Sequence, residues 1–181
     1  MIPDVAAAEY YDKIATGYDQ LYGEEQIHKA KVILRFMKPS PKESLLDVGC
    51  GTAIYAPLFN CRYTGIDPSE LLLTIAEQRF KKGTFVLGKA ESLPFPKAFF
   101  DYVISITAVH HANVKRAIDE IHRVLKPKGK SITNAPKVRC AITVQKSSLK
   151  LPDVKKAVHA VFADWRIEEF FDEKDIIFLI S

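Results

Sequence analysis

Leu45-Leu46-Asp47-Val48-Gly49-Cys50-Gly51-Thr52-Ala53 is the stretch on which the reading of this chain turns. The first four residues form a short apolar run interrupted by one acid, the pattern of a strand buried on both faces. Gly49 and Gly51 then allow a sharp turn and a close backbone approach to a ligand, where a Cβ would clash. Two common glycine-turn sites are excluded. A dinucleotide fingerprint requires glycine three residues after Gly51, and Ile54 stands there; a phosphate-binding P-loop requires Gly-Lys-Ser/Thr, which does not follow.

Reading outward, strands and helices alternate. Before the turn, Ile27, Ala30, Leu34 and Met37 have helical spacing, predicting an amphipathic helix over 24–38 ended by Pro39. After it, short strands are expected at 63–66, 84–87, 102–106 and 131–133. Ser69 is placed to cap a helix running to about Phe80, with Gly83 just past its end. Val114, Ile118, Ile121 and Leu125 mark one face of a further helix, which Pro127 and Gly129 stop. A helix over 153–162 and strands at 165–171 and 176–180 complete the chain. This order implies an α/β, Rossmann-like, doubly wound and mostly parallel sheet of seven strands. Only a tight turn separates the last two strands, so the sheet should end in an antiparallel hairpin. Ligands of such sheets bind beyond the carboxyl ends of the strands, where strand order reverses.

Two further motifs fall on those loops. Gly65-Ile66-Asp67-Pro68-Ser69 puts a carboxylate at the tip of the second strand, 16 residues beyond Gly51. A carboxylate there can accept hydrogen bonds from both hydroxyls of a ribose; it can equally serve as a helix N-terminal acid favoured by the dipole. His110-His111 follows the strand at 102–106, and imidazole titrates near neutrality. The pair offers a candidate general base, or one inward-packed and one surface histidine. His28, His122 and His159 fall on predicted helices and carry no functional weight.

The 181 residues suit a single core, and 48% hydrophobic with 27% charged residues is ordinary for a globular chain. No apolar run approaches the roughly 20 residues of a membrane helix. Residues 1–8 lack a basic start followed by an apolar stretch, so no signal peptide is expected. Cys50, Cys61 and Cys140 are odd in number and lack metal-ligand spacing, so no metal is expected and a reducing, cytoplasmic setting is. The net charge of +4 is uneven: residues 123–156 hold ten bases and one acid, and 164–175 six acids and two bases. The basic run reads either as a solvated surface or as a face for a polyanion such as RNA.

In their order along the chain, Leu45 to Ala53, Gly65 to Ser69, Ala90-Glu91-Ser92-Leu93-Pro94-Phe95, Phe100-Asp101-Tyr102-Val103 and Glu120-Ile121-His122-Arg123-Val124-Leu125-Lys126-Pro127 resemble the class I S-adenosylmethionine (SAM)-dependent methyltransferases. The branch most resembled contains the ubiquinone/menaquinone C-methyltransferases, and residues 11–19 (Tyr-Asp-Lys-Ile-Ala-Thr-Gly-Tyr-Asp) agree. The stretch 103–111 also resembles the wobble-uridine tRNA methyltransferases, which often require a small zinc-binding activator protein.

The resemblance implies SAM as cofactor, with S-adenosylhomocysteine as its product. It implies that Asp47, Gly49, Cys50 and Gly51 shape the pocket for the methionine part, and that Asp67, followed by Pro68, holds the ribose. Ala90 and Glu91 would flank the adenine, Ile106 and Thr107 would close on the methionine part, and Tyr11 and Tyr18 would fold over the cofactor. Two positions depart from the family. Ala53 replaces the third glycine of the turn, and Lys89 stands where an acid usually meets the adenine amino group. A cation cannot accept that hydrogen bond. The implied organisation is one domain over 1–181: a helical cap (1–40), a cofactor-binding core (41–135), and a substrate-side segment with the closing hairpin (136–181). The acceptor is expected to be a small metabolite or a tRNA base, with no membrane involved. The rival expectation is a non-catalytic SAM-binding subunit acting through a protein partner.

Overall fold

The computed structural model describes residues 15–127 and 137–181. Seven strands form one sheet in the order β3-β2-β1-β4-β5-β7-β6. They are β1 (Ser44–Val48), β2 (Arg62–Asp67), β3 (Thr84–Leu87), β4 (Tyr102–Ile106), β5 (Cys140–Gln145), β6 (Ile167–Phe171) and β7 (Asp175–Ile180). The first five are parallel, while β7 runs antiparallel to both β5 and β6. The closing hairpin of the sequence reading is therefore present, inserted so that its second strand joins the sheet. Strand order reverses between β1 and β4, which pair through Leu45 with Tyr102 and Asp47 with Ile104.

Alternation along the central strands divides the core between two faces. Leu46, Val48, Val103 and Ile142 pack with Ile118 and Ile121 of α3 (Val114–Val124) and Val154 and Val158 of α4 (Leu151–Val161). Leu45, Ile104, Ile106 and Ile177 pack on the other face with Ala30, Ile33 and Met37 of the α1 end (Tyr18–Phe36 and its C-cap) and with Ala76 of α2 (Glu70–Arg79). Both faces are covered, so β1 and β4 are buried along their whole length. Ser69 caps α2 as expected, its Oγ accepting the Leu72 N–H at 3.1 Å.

Three boundaries differ from the sequence reading. The helix expected at 24–38 begins at Tyr18. Gly23 weakens the helical pattern, and a Cβ at that position would lie 2.7 Å from Ile54 Cδ1, the tip of a side chain that would have to shift. The last strand pair begins later than expected, β6 at Ile167. The strand expected at 131–133 lies outside the described residues; the strand that pairs with β4 is Cys140–Gln145, where the sequence reading places no strand. Its Cys140, Ile142 and Val144 face one core and Ala141 the other, so it is buried on both faces as β1 and β4 are. Among the described residues no helix is long and apolar enough to cross a membrane.

Candidate active site

The carboxyl ends of β1, β2 and β4 open into a pocket lined by Val48, Gly49, Gly51, Ile66, Asp67, Pro68, Ile106 and Thr107. Tyr18 from α1, Leu72 from α2, Lys89, Ala90 and Glu91 from the loop after β3, and Ala108 and His111 from the loop after β4 complete its walls. It occupies the reversal of strand order, where the fold leaves a crevice.

The glycine turn is built for close approach. Gly49 and Gly51 have φ of 79° and 53°. A Cβ on Gly49 would fall 2.3 Å from Ala108 Cβ, so glycine is required by both conformation and space. The Gly49 and Cys50 N–H groups both donate to Ile66 O, at 2.8 and 3.1 Å, which ties the turn to the end of β2. Asp67 completes the tether: Oδ2 accepts the Gly51 N–H at 2.9 Å and Oδ1 the Ser69 N–H at 3.0 Å. Ala53 also adopts the left-handed region, at φ 51°.

Helix α1 is pinned over this turn. Asp19 accepts the Thr52 hydroxyl and pairs with Arg79, whose Nη1 donates to Thr52 O at 2.8 Å. Tyr18 consequently lies across Gly51, 3.6 Å from where its Cβ would be.

Asp47 and Cys50 stand behind the pocket wall. Asp47 is fully buried and accepts the Tyr63 hydroxyl, with Oδ1 unpartnered. Burial pushes its carboxyl up to about 7, against the hydrogen bonds of Tyr63 and Tyr55. The Cys50 side chain packs over Gly65, where a Cβ would meet its sulfur at 2.6 Å, and burial pushes the thiol well up. These two residues brace the turn, while Gly49, Gly51 and Asp67 face the pocket.

His110 and His111 form a 3-10 turn with Val109, their rings 4.0 Å apart. His111 lines the pocket; His110 stands behind it with Nδ1 buried and unpartnered. Burial, then the charges of His111 and Lys29, hold His110 down at about 4, and burial alone lowers His111. Both imidazoles are therefore held neutral at pH 7, and the same burial makes each a weaker base than a free imidazole.

Of the other residues singled out in the sequence, Tyr18, Pro68, Ala90, Glu91, Ile106 and Thr107 line the pocket, as does the departure Lys89. Tyr11 lies outside the described residues. Glu91 has a second task, accepting the Asn113 N–H at 2.8 Å. Leu72 and Ala108 were not legible as pocket residues. The only sequence signals were an apolar residue in the first turn of α2 and a small residue after β4.

The basic run does not form one face. Lys126 pairs with Asp101 at 2.7 Å and Lys137 with Glu43 at 2.7 Å. Arg139 donates to Asp101 O and Pro127 O, both at 3.1 Å. These three sit at the amino ends of β1, β4 and β5, opposite the pocket. Lys146 follows the carboxyl end of β5, but its ammonium donates to Asp172 O and Glu173 O in the β6–β7 turn. Strand β5 thus separates Lys137 and Arg139 from Lys146 by its full length, so the run over 123–156 is not a single face.

The residues present fit an adenosyl cofactor. Ile66, Leu72 and Ala90 offer an apolar slot for a flat ring, Asp67 a carboxylate for hydroxyls, and the glycine turn an uncovered backbone. Strand order and the position of the pocket at its reversal define a Rossmann-like α/β fold. Residues 46–133 match the family described as a methyltransferase domain.

Demethylmenaquinone methyltransferase of Thermotoga maritima is 32% identical over 137 residues, covering 70% of this chain and 59% of that protein. The tRNA (carboxymethyluridine(34)-5-O)-methyltransferase of Arabidopsis thaliana is 35% identical over 126 residues, covering 66% of this chain and 30% of that one. The chain thus spans about half the length of the curated relatives it matches. Among solved structures, a complex between the Haloferax volcanii Trm112 methyltransferase activator and a methyltransferase shares the fold at a TM-score of 0.71 and 21% identity. That match covers 88% of this chain and 78% of that one.

Proposed function

We propose that this chain transfers a methyl group from SAM to a small organic acceptor. The observation that carries the reading is the pocket at the carboxyl ends of β1, β2 and β4, where the glycine turn, Asp67 and the β4 loop converge. In this reading Gly49 and Gly51 give backbone to the methionine part, with Asp47 and Cys50 bracing the turn from behind. Asp67, beside Pro68, holds the ribose; Ala90 and Glu91 flank the adenine; Ile106 and Thr107 close on the methionine part. Tyr18 covers the cofactor, and Tyr11 is assigned the same task. Residues 1–40 act as the cap, 41–135 as the cofactor core and 136–181 as the substrate-side segment of one domain.

When bound, SAM supplies a sulfonium-activated methyl group and so the driving force. The chain supplies alignment, holding cofactor and acceptor so that displacement is in line. His111, neutral and in the wall, takes a proton from an acceptor that must lose one. His110 backs it.

The small-acceptor reading is supported by the division of Lys137 and Arg139 from Lys146 between the two ends of β5, since phosphate tracking needs positive charge along one face. A tRNA base is the second acceptor reading, favoured by the resemblance to the uridine-34 enzyme. With it goes a small activator protein as partner, as in the complex whose fold this chain shares. A non-catalytic SAM-binding subunit is the third. Three cysteines outside any disulfide support a reducing, cytoplasmic setting.

The test has two stages. Calorimetry measures binding of S-adenosylhomocysteine to the purified chain. Tritium transfer from labelled SAM into a cell extract, separated into RNA, protein and small molecules, then identifies the acceptor. Label in the small-molecule fraction is expected; label confined to RNA overturns the small acceptor, and binding without transfer in the presence of its partners favours the subunit.

A further inference from the structure

Lys29 lies in the middle of α1 and is 1% exposed; its helix neighbours Ala30 and Ile33 belong to the apolar cluster on that sheet face. Its ammonium has three partners. Glu25, one turn back, lies at 2.6 Å; Asp175, the first residue of β7 and itself buried, at 2.9 Å; Thr107 Oγ1 at 2.7 Å. Glu25 and Asp175 balance its charge. Thr107 needs no cation, and the bond to it reaches the pocket.

Thr107 is the residue at which β4 becomes the pocket wall. Its φ is 56°, a conformation that β-branched residues almost never adopt. Such strain persists only where surrounding contacts over-determine it, and it clusters at binding sites. Here the contacts are visible. The Thr107 N–H donates to Thr143 Oγ1 at 2.9 Å, and the two hydroxyls lie 3.1 Å apart. The Thr107 hydroxyl is thus held between the Lys29 ammonium and the Thr143 hydroxyl. The next residue, Ala108, is the one against which Gly49 is packed.

Stability alone gives little reason for this arrangement. Buried ion pairs are commonly no better for stability than apolar side chains of similar volume. This one also leaves Asp175 Oδ1 without a partner. Burial pushes the Asp175 carboxyl up while the Lys29 ammonium pulls against it, the mark of a pair not optimised for folding alone.

We propose that Lys29, seated by Asp175 and Glu25, is a positioning residue that holds Thr107 in its left-handed conformation and so couples docking of α1 to the shape of the cofactor pocket. The inference rests on the cofactor reading above. Lys29 touches neither cofactor nor acceptor in this account; it acts through Thr107.

The test is a double-mutant cycle on the full chain, read by calorimetry with S-adenosylhomocysteine and by hydrogen exchange of the amides of residues 107–112. Lys29→Met removes the ammonium at similar volume, and Thr107→Val removes the hydroxyl at the same volume. Each should weaken binding about tenfold, the effect expected for one hydrogen bond to a charged group. Each should also speed exchange at Thr107 and Ala108. The double variant should be no worse than either single. Thr107→Ser, which keeps the hydroxyl, should recover most of the affinity.

Losses that add in the double variant, or an unchanged exchange rate at Thr107, would show that Lys29 only supports the fold and overturn the proposal. Should Lys29→Met not fold, Thr107→Val and Thr107→Ser decide: equal affinities overturn it. A parent chain that does not bind S-adenosylhomocysteine overturns the cofactor reading itself, whereas a parent that binds and variants that bind equally well overturn this inference alone.

Discussion

Asp67 Oδ2 accepts the Gly51 backbone N–H at 2.9 Å, so the acid at the tip of β2 holds the turn that follows β1. One side chain thereby sets the spacing of two adjacent strand ends, and its other oxygen orders the entry to α2 through Ser69. Both readings of Asp67 that the sequence left open therefore have a place. It is a helix-entry acid, and it faces the pocket where a ribose is proposed.

Asp67→Ala should weaken S-adenosylhomocysteine binding at least about tenfold, because hydrogen bonds to a charged group contribute roughly 1.5–3 kcal/mol each. It should also lower stability, since two backbone donors lose their acceptor. Calorimetry and thermal unfolding separate the two effects. A folded variant that binds as tightly as the parent would leave Asp67 with the structural task alone.

Gly49→Ala meets two penalties. The left-handed φ of 79° disfavours any Cβ by about 1–2 kcal/mol, and that Cβ would also collide with Ala108. Cofactor binding should fall sharply. Adding Ala108→Gly removes the collision but not the conformational penalty, so rescue should be partial. Full rescue would show that φ at this position is freely adaptable.

Asp47 makes stability depend on pH in an unusual direction. Its carboxyl titrates at about 7 in the folded chain against 3.8 when unfolded. Between those values the folded state binds more protons. The contribution is therefore complete below pH 3.8 and lost as pH rises through about 7, with a slope of up to about 1.4 kcal/mol per pH unit. Asp47→Asn mimics the protonated form, so its stability relative to the parent should rise with pH over that window. Denaturant titrations at pH 4 and pH 8 check this. A difference between variant and parent that is the same at both would mean that Asp47 is ionised throughout.

His110 acts in the opposite sense. Unfolded, it takes up a proton near 6.5; folded, only near 4. The unfolded state binds more protons in between, so stability is intact above 6.5 and falls as pH drops toward 4. His110→Gln should remove that part of the acid loss. An unchanged acid limb would place the titration elsewhere.

The basic residues on either side of β5 separate what is local in the sequence from what is not. Lys137, Arg139, Lys146 and Lys150 follow one another closely and read as one basic patch. A six-residue strand between Arg139 and Lys146 carries the chain from the amino end of the sheet to the carboxyl end; Lys137 pairs with Glu43, and Arg139 donates to the Asp101 and Pro127 carbonyls. That strand is buried on both faces like β1 and β4, but it lacks the glycine turn and motif that mark them in the sequence. The start of α1 was hidden for a different reason: Gly23 weakens the helical pattern there.

What the sequence determined by itself is the backbone logic of the fold and the cofactor edge. Short apolar runs, the glycines after β1, the Ser69 cap and the tight turn before β7 are local signals, each readable from neighbours a few residues away. They suffice to order strands and helices and to place Gly49, Gly51 and Asp67 at one end of the sheet. Tertiary structure decided which side chains reach the pocket and which stand behind it. Asp47 turned toward Tyr63, Cys50 over Gly65, His111 forward and His110 back, and Lys29 found Asp175 across 146 positions of chain. Those choices depend on contacts between residues far apart in sequence. Burial then sets the protonation of what lies behind the wall, and neither can be read from a window of nearby residues.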